Sequence, residues 1–159
     1  ALADTQVFGK RAGEFAGKAE TRLKKIDPKQ VKRQQEHLDS FLNGSTNPAQ
    51  VRTELQNAMW EGAGIFRNAA DLASTLATIN RLSRIAIRAE TPRNFVDCCT
   101  VQNMLQTASL ICRSALIRKE SRGAHVRTDI TQEWDAQSSP FGHTYISREH
   151  EGIERRERS

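Results

Sequence analysis

The sequence predicts an all-α fold: an antiparallel helical bundle of about five segments with a small irregular or two-strand C-terminal extension. Three observations carry that prediction. Apolar residues recur at spacings of three and four through most of the chain up to Lys119, the period of one helix face. Breaks containing proline, "IDPKQ", "NGSTNP" and "AETPRN", divide these runs, because the residue before a proline avoids the helical region. Only the last stretch, "HTYISREHEGIERRER", shows weak alternation around a glycine turn. The bundle is expected over residues 1–129 and the extension over 130–159.

The first helix is expected from about Asp4 to Lys25, capped by Asp4 or Thr5, with Phe8, Ala12, Phe15, Ala16, Ala19 and Leu23 on one face. Gly9, Gly13 and Gly17 fall four apart on one stripe, each costing about 1 kcal/mol against alanine; such a stripe suits close approach by another element. A second helix opens at Pro28, a favoured first-turn residue, with Val31, Leu38, Phe41 and Leu42 inward. The third starts at Pro48 and turns Val51, Leu55, Ala58 and Met59 to the core. The fourth spans about Ala69 to Arg88 with Leu72, Leu76, Ile79, Ser83 and Ala86 in line. The fifth is the strongest. Val101, Met104, Leu105, Ala108, Ile111, Cys112 and Ala115 share a face from Phe95 or Asp97 to Lys119, and Gly123 is placed to cap it.

The totals exclude several classes. No apolar run approaches the ~18 residues of a membrane span, so direct membrane insertion is not expected. The opening residues lack the charged and apolar regions of a signal peptide. Cys98, Cys99 and Cys112 form no metal or disulfide pattern and read as reduced core thiols, which suits a cytoplasmic protein. The net charge of +5 lies in residues 1–33, which hold nine Lys/Arg against four Asp/Glu. That face is either solvated or a dock for an anionic partner. Within its stretch "KAETRLKKIDPKQVKR" no aromatic residues interleave with the charges, so nucleic acid has no stacking platform there and is not an expected partner.

Catalytic signatures are missing. The histidine spacings match no zinc site, and no phosphate-binding glycine loop or nucleophile elbow occurs. Trp60 and Trp134 read as packing anchors. The densest polar stretch is "RKESRGAHVRTD", with Arg118, Lys119, Glu120, Arg122, His125, Arg127 and Asp129 directly after the strongest apolar helix. Its cations complement a helix C-terminus. Alternatively Arg118, Glu120, Arg122, His125 and Arg127 dock a further domain, since a guanidinium holds carboxylates bidentately. A general-base role for His125 lacks a second catalytic group at recognisable spacing, and Ser121 reads as a turn or cap hydroxyl. No residue is assigned as catalytic or metal-binding.

Three stretches together resemble one family. "ALADTQVFGKRAGEFA", "LQNAMWEGAGIFRN" and "NMLQTASLICRSALIRKESRGAHVRTD" are similar to the C-terminal helical region of the succinate dehydrogenase and fumarate reductase flavoproteins. The Arg-Lys-Glu-Ser-Arg-Gly-Ala-His-x-Arg-x-Asp end is the most specific match. Leu2, Asp4, Phe8, Gly9, Ala12 and Gly13 fit the family's opening pattern, whereas Ala1 stands where serine is usual. L-aspartate oxidase is a near relative; Asp4, Ala124 and Arg127 favour the dicarboxylate branch.

The resemblance implies a domain of a larger FAD-dependent oxidoreductase, whose flavin-binding and capping domains and substrate-binding residues lie upstream of Ala1. The chain alone would carry no FAD and be inactive, and would brace the flavin domain. Ala1 and Leu2 would meet the flavin through backbone groups. The N-terminus of the first helix would stabilise charge on the reduced ring by roughly 0.3–1 kcal/mol, or up to about 2 when partly buried. An iron–sulfur subunit is the implied partner, through which the protein would lie peripheral to the inner membrane. Two alternatives remain: an L-aspartate oxidase domain, and a free-standing helical interaction module with a basic docking face.

Overall fold

The computed structural model describes residues 2–18, 26–131, 143–146 and 153–156. By internal packing the chain forms two units, Ala1–Gln35 and Glu36–Ser159. The first contains helix α1 (Leu2–Lys18) and the start of α2 (Pro28–Ser40). Residues 19–25 of the expected first helix lie outside the described residues. Every described side chain of α1 is exposed, including Phe8 and Phe15. A Cβ built at Gly9, Gly13 or Gly17 would meet nothing within 4 Å, so the glycine stripe is open among the described residues.

Helix α2 starts where proline fits the first turn. The Asp27 carboxylate accepts from the Lys29 amide at 3.0 Å as its cap. No residue within α2 is buried. Of the four residues expected inward, only Phe41 is buried, just past the helix; Val31, Leu38 and Leu42 are exposed. The spacing identified a face, but these side chains remain exposed along it. Phe41 meets Phe95 edge-on with centroids 5.8 Å apart and His37 at 5.2 Å.

The core is built by α3 (Pro48–Gly62), α4 (Ala69–Leu82) and α5 (Pro92–Ile117), which pack on one another. Each has a side-chain N-cap. Asn47 accepts from the Ala49 amide at 2.9 Å, Asn68 from Asp71 at 2.8 Å and Thr91 from Asn94 at 3.1 Å, each satisfying an amide that the helix start leaves unpaired. Helix α5 therefore begins earlier than Phe95, at the Thr-Pro step. Val51, Leu55, Leu72, Ile79, Leu82, Cys98, Val101, Leu105, Ala108, Cys112 and Ala115 form the buried centre. Ile111 is 42% exposed and Trp60 is 84% exposed, so neither anchors the core; Trp134 lies outside the described residues. At the α3/α4 crossing Gly62 sits directly against the hydroxyl of Thr75, which bonds back to the Asp71 carbonyl at 2.8 Å.

Helix α4 stops at Leu82, short of the expected Arg88. Residues 83–88 instead turn back so that Ile87 is buried and pairs with Thr46. The Ser45 amide donates to Ala86 at 2.9 Å, Arg88 to Thr46 at 2.8 Å and Ala89 to Phe41 at 2.8 Å. This backbone seam joins the loops after α2 and α4.

Two short ladders complete the fold. β1 (Phe66–Arg67) pairs in parallel with β2 (Val126–Arg127), in the register Phe66–Val126 and Arg67–Arg127. Neither strand was expected from the sequence. The expected C-terminal hairpin forms: β3 (His143–Ile146) lies antiparallel to β4 (Ile153–Arg156), with Ile146 opposite Ile153.

All three cysteines are free thiols. Burial pushes the Cys98 and Cys112 thiols up, and their neighbours Cys99 and Asp97 push Cys98 further. Cys112 is fully buried, 3.7 Å from the Met59 sulfur. Since the thiolate is the reactive form, Cys99 should react first with a thiol reagent. Cys98 and Cys112 should react only with unfolding, measured by labelling across a urea series. Rapid native labelling of Cys112 would contradict the packing.

Candidate functional site

Helix α5 ends at Ile117, and the chain then folds back over its C-terminal turn. Helix ends expose carbonyls that need donors, and Arg127 supplies them. Its Nη1 donates to the carbonyls of Ala115 at 3.2 Å and Arg118 at 3.1 Å. Its Nε and Nη2 hold both oxygens of Asp129 at 2.8 Å each. The Arg127 side chain is only 3% exposed, against 32% for Asp129. Asp129 Oδ2 also accepts from the Ala69 amide at 2.9 Å, so one carboxylate joins the end of α5 to the start of α4. Arg127 holds its carboxyl well below the usual carboxylate range.

The chain between these anchors is a tight turn. Arg122 and His125 exchange backbone bonds at 2.8 and 3.0 Å, and Gly123 takes φ +56° inside it. That left-handed conformation suits glycine. Gly123 is therefore a turn residue, and the expected helix cap is a correction: α5 has ended six residues earlier. Ser121 accepts from the Arg127 amide at 2.9 Å, the turn hydroxyl its context suggested.

Glu120 is completely buried. It pairs with Arg118 and lies 3.9 Å from Arg122. His125 Nδ1 lies 2.9 Å from Arg67 Nη1, and Nε2 lies 3.1 Å from the Arg118 carbonyl. Arginine only donates and a carbonyl only accepts, so the ring is neutral with its proton on Nε2. Burial pushes its value down; the Arg118 carbonyl opposes this, and Arg67, Arg127 and Arg118 add to the lowering. With both nitrogens engaged, His125 holds the fold together and has no free lone pair for base chemistry.

Of the residues expected to dock another domain, Glu120, His125 and Arg127 are buried in this network. Arg118 keeps 20% and Arg122 35% of its side chain exposed. Ala1, an expected flavin contact, lies outside the described residues, and Leu2 is the first residue of α1. Sequence reasoning gave no role to Arg67, which approaches from 58 residues away; its one signal was its place in the family-like stretch "LQNAMWEGAGIFRN". Asp129 was read as part of the charged stretch without a role.

The cluster makes stability pH-dependent with a definite sign. The folded-state value of His125 lies below its ordinary 6.5. As pH falls through that value the unfolded chain gains a proton first, and stability is lost. The folded value of Asp129 is also depressed from 3.8, so its contribution is present above that value and lost as pH falls further. The urea midpoint should therefore fall in two limbs, below about pH 6.5 and again below about pH 4. His125→Gln should abolish the first limb alone. A midpoint rising between pH 7 and 5 would refute this.

These features define a helical scaffold domain in which buried Glu120, His125 and Arg127 tie its C-terminal segment to the core. The chain belongs to the fumarate reductase flavoprotein C-terminal family, whose model matches residues 52–157. It is 39% identical over 145 residues to one chain of the fumarate reductase (CoM/CoB) of Methanothermobacter marburgensis, covering 84% of this chain and 26% of that protein. It is 31% identical over 177 residues to the fumarate reductase flavoprotein subunit of Escherichia coli, covering 99% and 28%. Among solved structures, E. coli quinol fumarate reductase aligns with a TM-score of 0.68 at 27% identity over 94% of this chain and 28% of that one. The Mycobacterium smegmatis Sdh1 complex in its apo form gives 0.68 at 27% identity, over 83% and 24%. The chain thus spans about a quarter of the length of the relatives it matches.

Proposed function

We propose that this chain serves as the C-terminal helical domain of an FAD-dependent oxidoreductase that interconverts succinate and fumarate. It braces the flavin-bearing domain and is inactive alone. The observation that carries this reading is the structural likeness to quinol fumarate reductase over 94% of this chain. Bound FAD would supply the hydride chemistry. This chain would supply the first turn of α1, which opens at Leu2. The first amides of any helix lie outside its own hydrogen-bond ladder, and such an end fits a group that gathers negative charge on reduction. The backbone of Ala1 and Leu2 would make that contact. The open glycine stripe of α1 would allow close approach of the flavin domain, and Arg118 and Arg122 would contact it from the α5 end.

An iron–sulfur subunit is the proposed electron-transfer partner, and the protein would reach a membrane surface only through such partners. No helix among the described residues is long and apolar enough to cross a membrane.

An assay of the intact oxidoreductase carrying this domain, with succinate, fumarate and L-aspartate, tests the reading. Turnover of the dicarboxylate pair is expected; aspartate-dependent turnover would transfer the domain to the amino-acid oxidase branch. The 159-residue chain, purified after incubation with FAD, should be colourless. Retained flavin would overturn the bracing role.

A further inference from the structure

The geometry points to a proton-operated latch: protonation of His125 releases the Arg122–Val126 turn from β1, while Arg127 and Asp129 hold the following segment in place. The imidazole has one lone pair, on Nδ1, and Arg67 Nη1 already donates to it at 2.9 Å. A second ring proton must go there. It would replace an N–H···N bond by two N–H groups facing each other, one on an imidazolium and one on a guanidinium.

The surroundings offer that imidazolium little relief. Arg67 faces it from β1, Arg118 from the end of α5 and Arg127 from β2. Arg122 closes the turn on the fourth side through its backbone. The two carboxylates of the cluster hold other groups: Glu120 pairs with Arg118 and lies near Arg122, and Asp129 holds Arg127. The charged ring gains by turning to water, and burial of the neutral ring already works in that direction.

The turn can follow. Its backbone attachments include the paired bonds of Arg122 and His125 and the bond from the Val126 amide to Ile65 at 3.0 Å, at the near end of the two-residue ladder with β1; the Arg122 side chain stays beside Glu120. Gly123 gives it a pivot with nothing within 4 Å of a built Cβ. The anchor beyond it does not respond at the same pH. Asp129 keeps its charge well below pH 5, and its bonds to Arg127 and the Ala69 amide remain. A proton-sensitive latch is thus followed directly along the chain by a proton-insensitive anchor.

Site-resolved amide exchange on the full 159-residue chain between pH 7 and pH 5, corrected for intrinsic rates, tests this. Opening linked to one proton should deprotect the His125 and Val126 amides by about tenfold per pH unit below about 6.5. The Arg127 and Ala69 amides should hold their protection. In His125→Gln, whose side-chain amide can accept from Arg67 and donate to Arg118 without titrating, Val126 should show no such pH dependence. If that variant fails to fold, the imidazole titration of the unmodified chain decides: its midpoint must lie below 6.5 and coincide with Val126 deprotection. Val126 protection that is flat across this range, or loss of Ala69 and Arg127 protection in step with it, overturns the latch.

Discussion

Asp129→Ala should cost the domain about 3–5 kcal/mol, the scale on which a buried charge is left without its partner. The asymmetry of the pair gives this size. Asp129 is 32% exposed and Arg127 only 3%, so removing the carboxylate strands the guanidinium inside the fold with Nε and one terminal nitrogen unpaired. The Ala69 amide at the start of α4 loses its acceptor as well. Removing the arginine leaves a carboxylate that water can reach, and the Arg118 carbonyl keeps its bond from His125, so Arg127→Met should cost less, mainly through the unmet carbonyl of Ala115, at about 1–3 kcal/mol for a fully buried orphan. Urea midpoints of the two variants measure the difference. A loss below about 1 kcal/mol for Asp129→Ala would place the pair with exposed ion pairs and remove it as the fold's clamp.

Gly44→Ala should be nearly as damaging, though no charge or large side chain is involved. A Cβ at Gly44 would fall on the backbone carbonyl of Ile87 and crowd that of Ala86. Backbone cannot swing aside as a flexible side chain does, so the two loops must part. The shift costs about 1–3 kcal/mol as overpacking. Each seam bond broken, from Ser45 to Ala86 or from Arg88 to Thr46, adds about 1 kcal/mol. Gly13→Ala is the internal contrast, because nothing lies within 4 Å of its built Cβ. There the helix should gain up to about 1 kcal/mol. Thermal midpoints should move in opposite directions; a shift of the same sign would contradict the open stripe.

The α5 core was readable because Val101, Leu105, Ala108, Cys112 and Ala115 obey one period along a single helix, and such a pattern needs no knowledge of the partner. Val31, Leu38 and Leu42 obey a similar rule and remain exposed, since periodicity describes a face and says nothing of what meets it. The end of α4 was invisible for another reason. No proline or glycine marks Ser83–Arg88, and the chain leaves the helix to make backbone bonds with a loop some forty residues earlier. Of the polar cluster, the residues adjacent in sequence were found and the one arriving from a distant segment, Arg67, was not. The two-residue ladder that brings Arg67 beside His125 is too short to show alternation.

The Ala69 amide waits 60 residues for the carboxylate that completes it. At the ~5–20 residues per second of synthesis, that is a delay of roughly 3–12 s. During it α4 has its Asn68 cap and no tie to the end of α5. A nascent chain of this domain therefore stays unfinished until the segment beyond α5 has emerged, and any product cut short before Asp129 reaches the cell's quality control with its keystone absent.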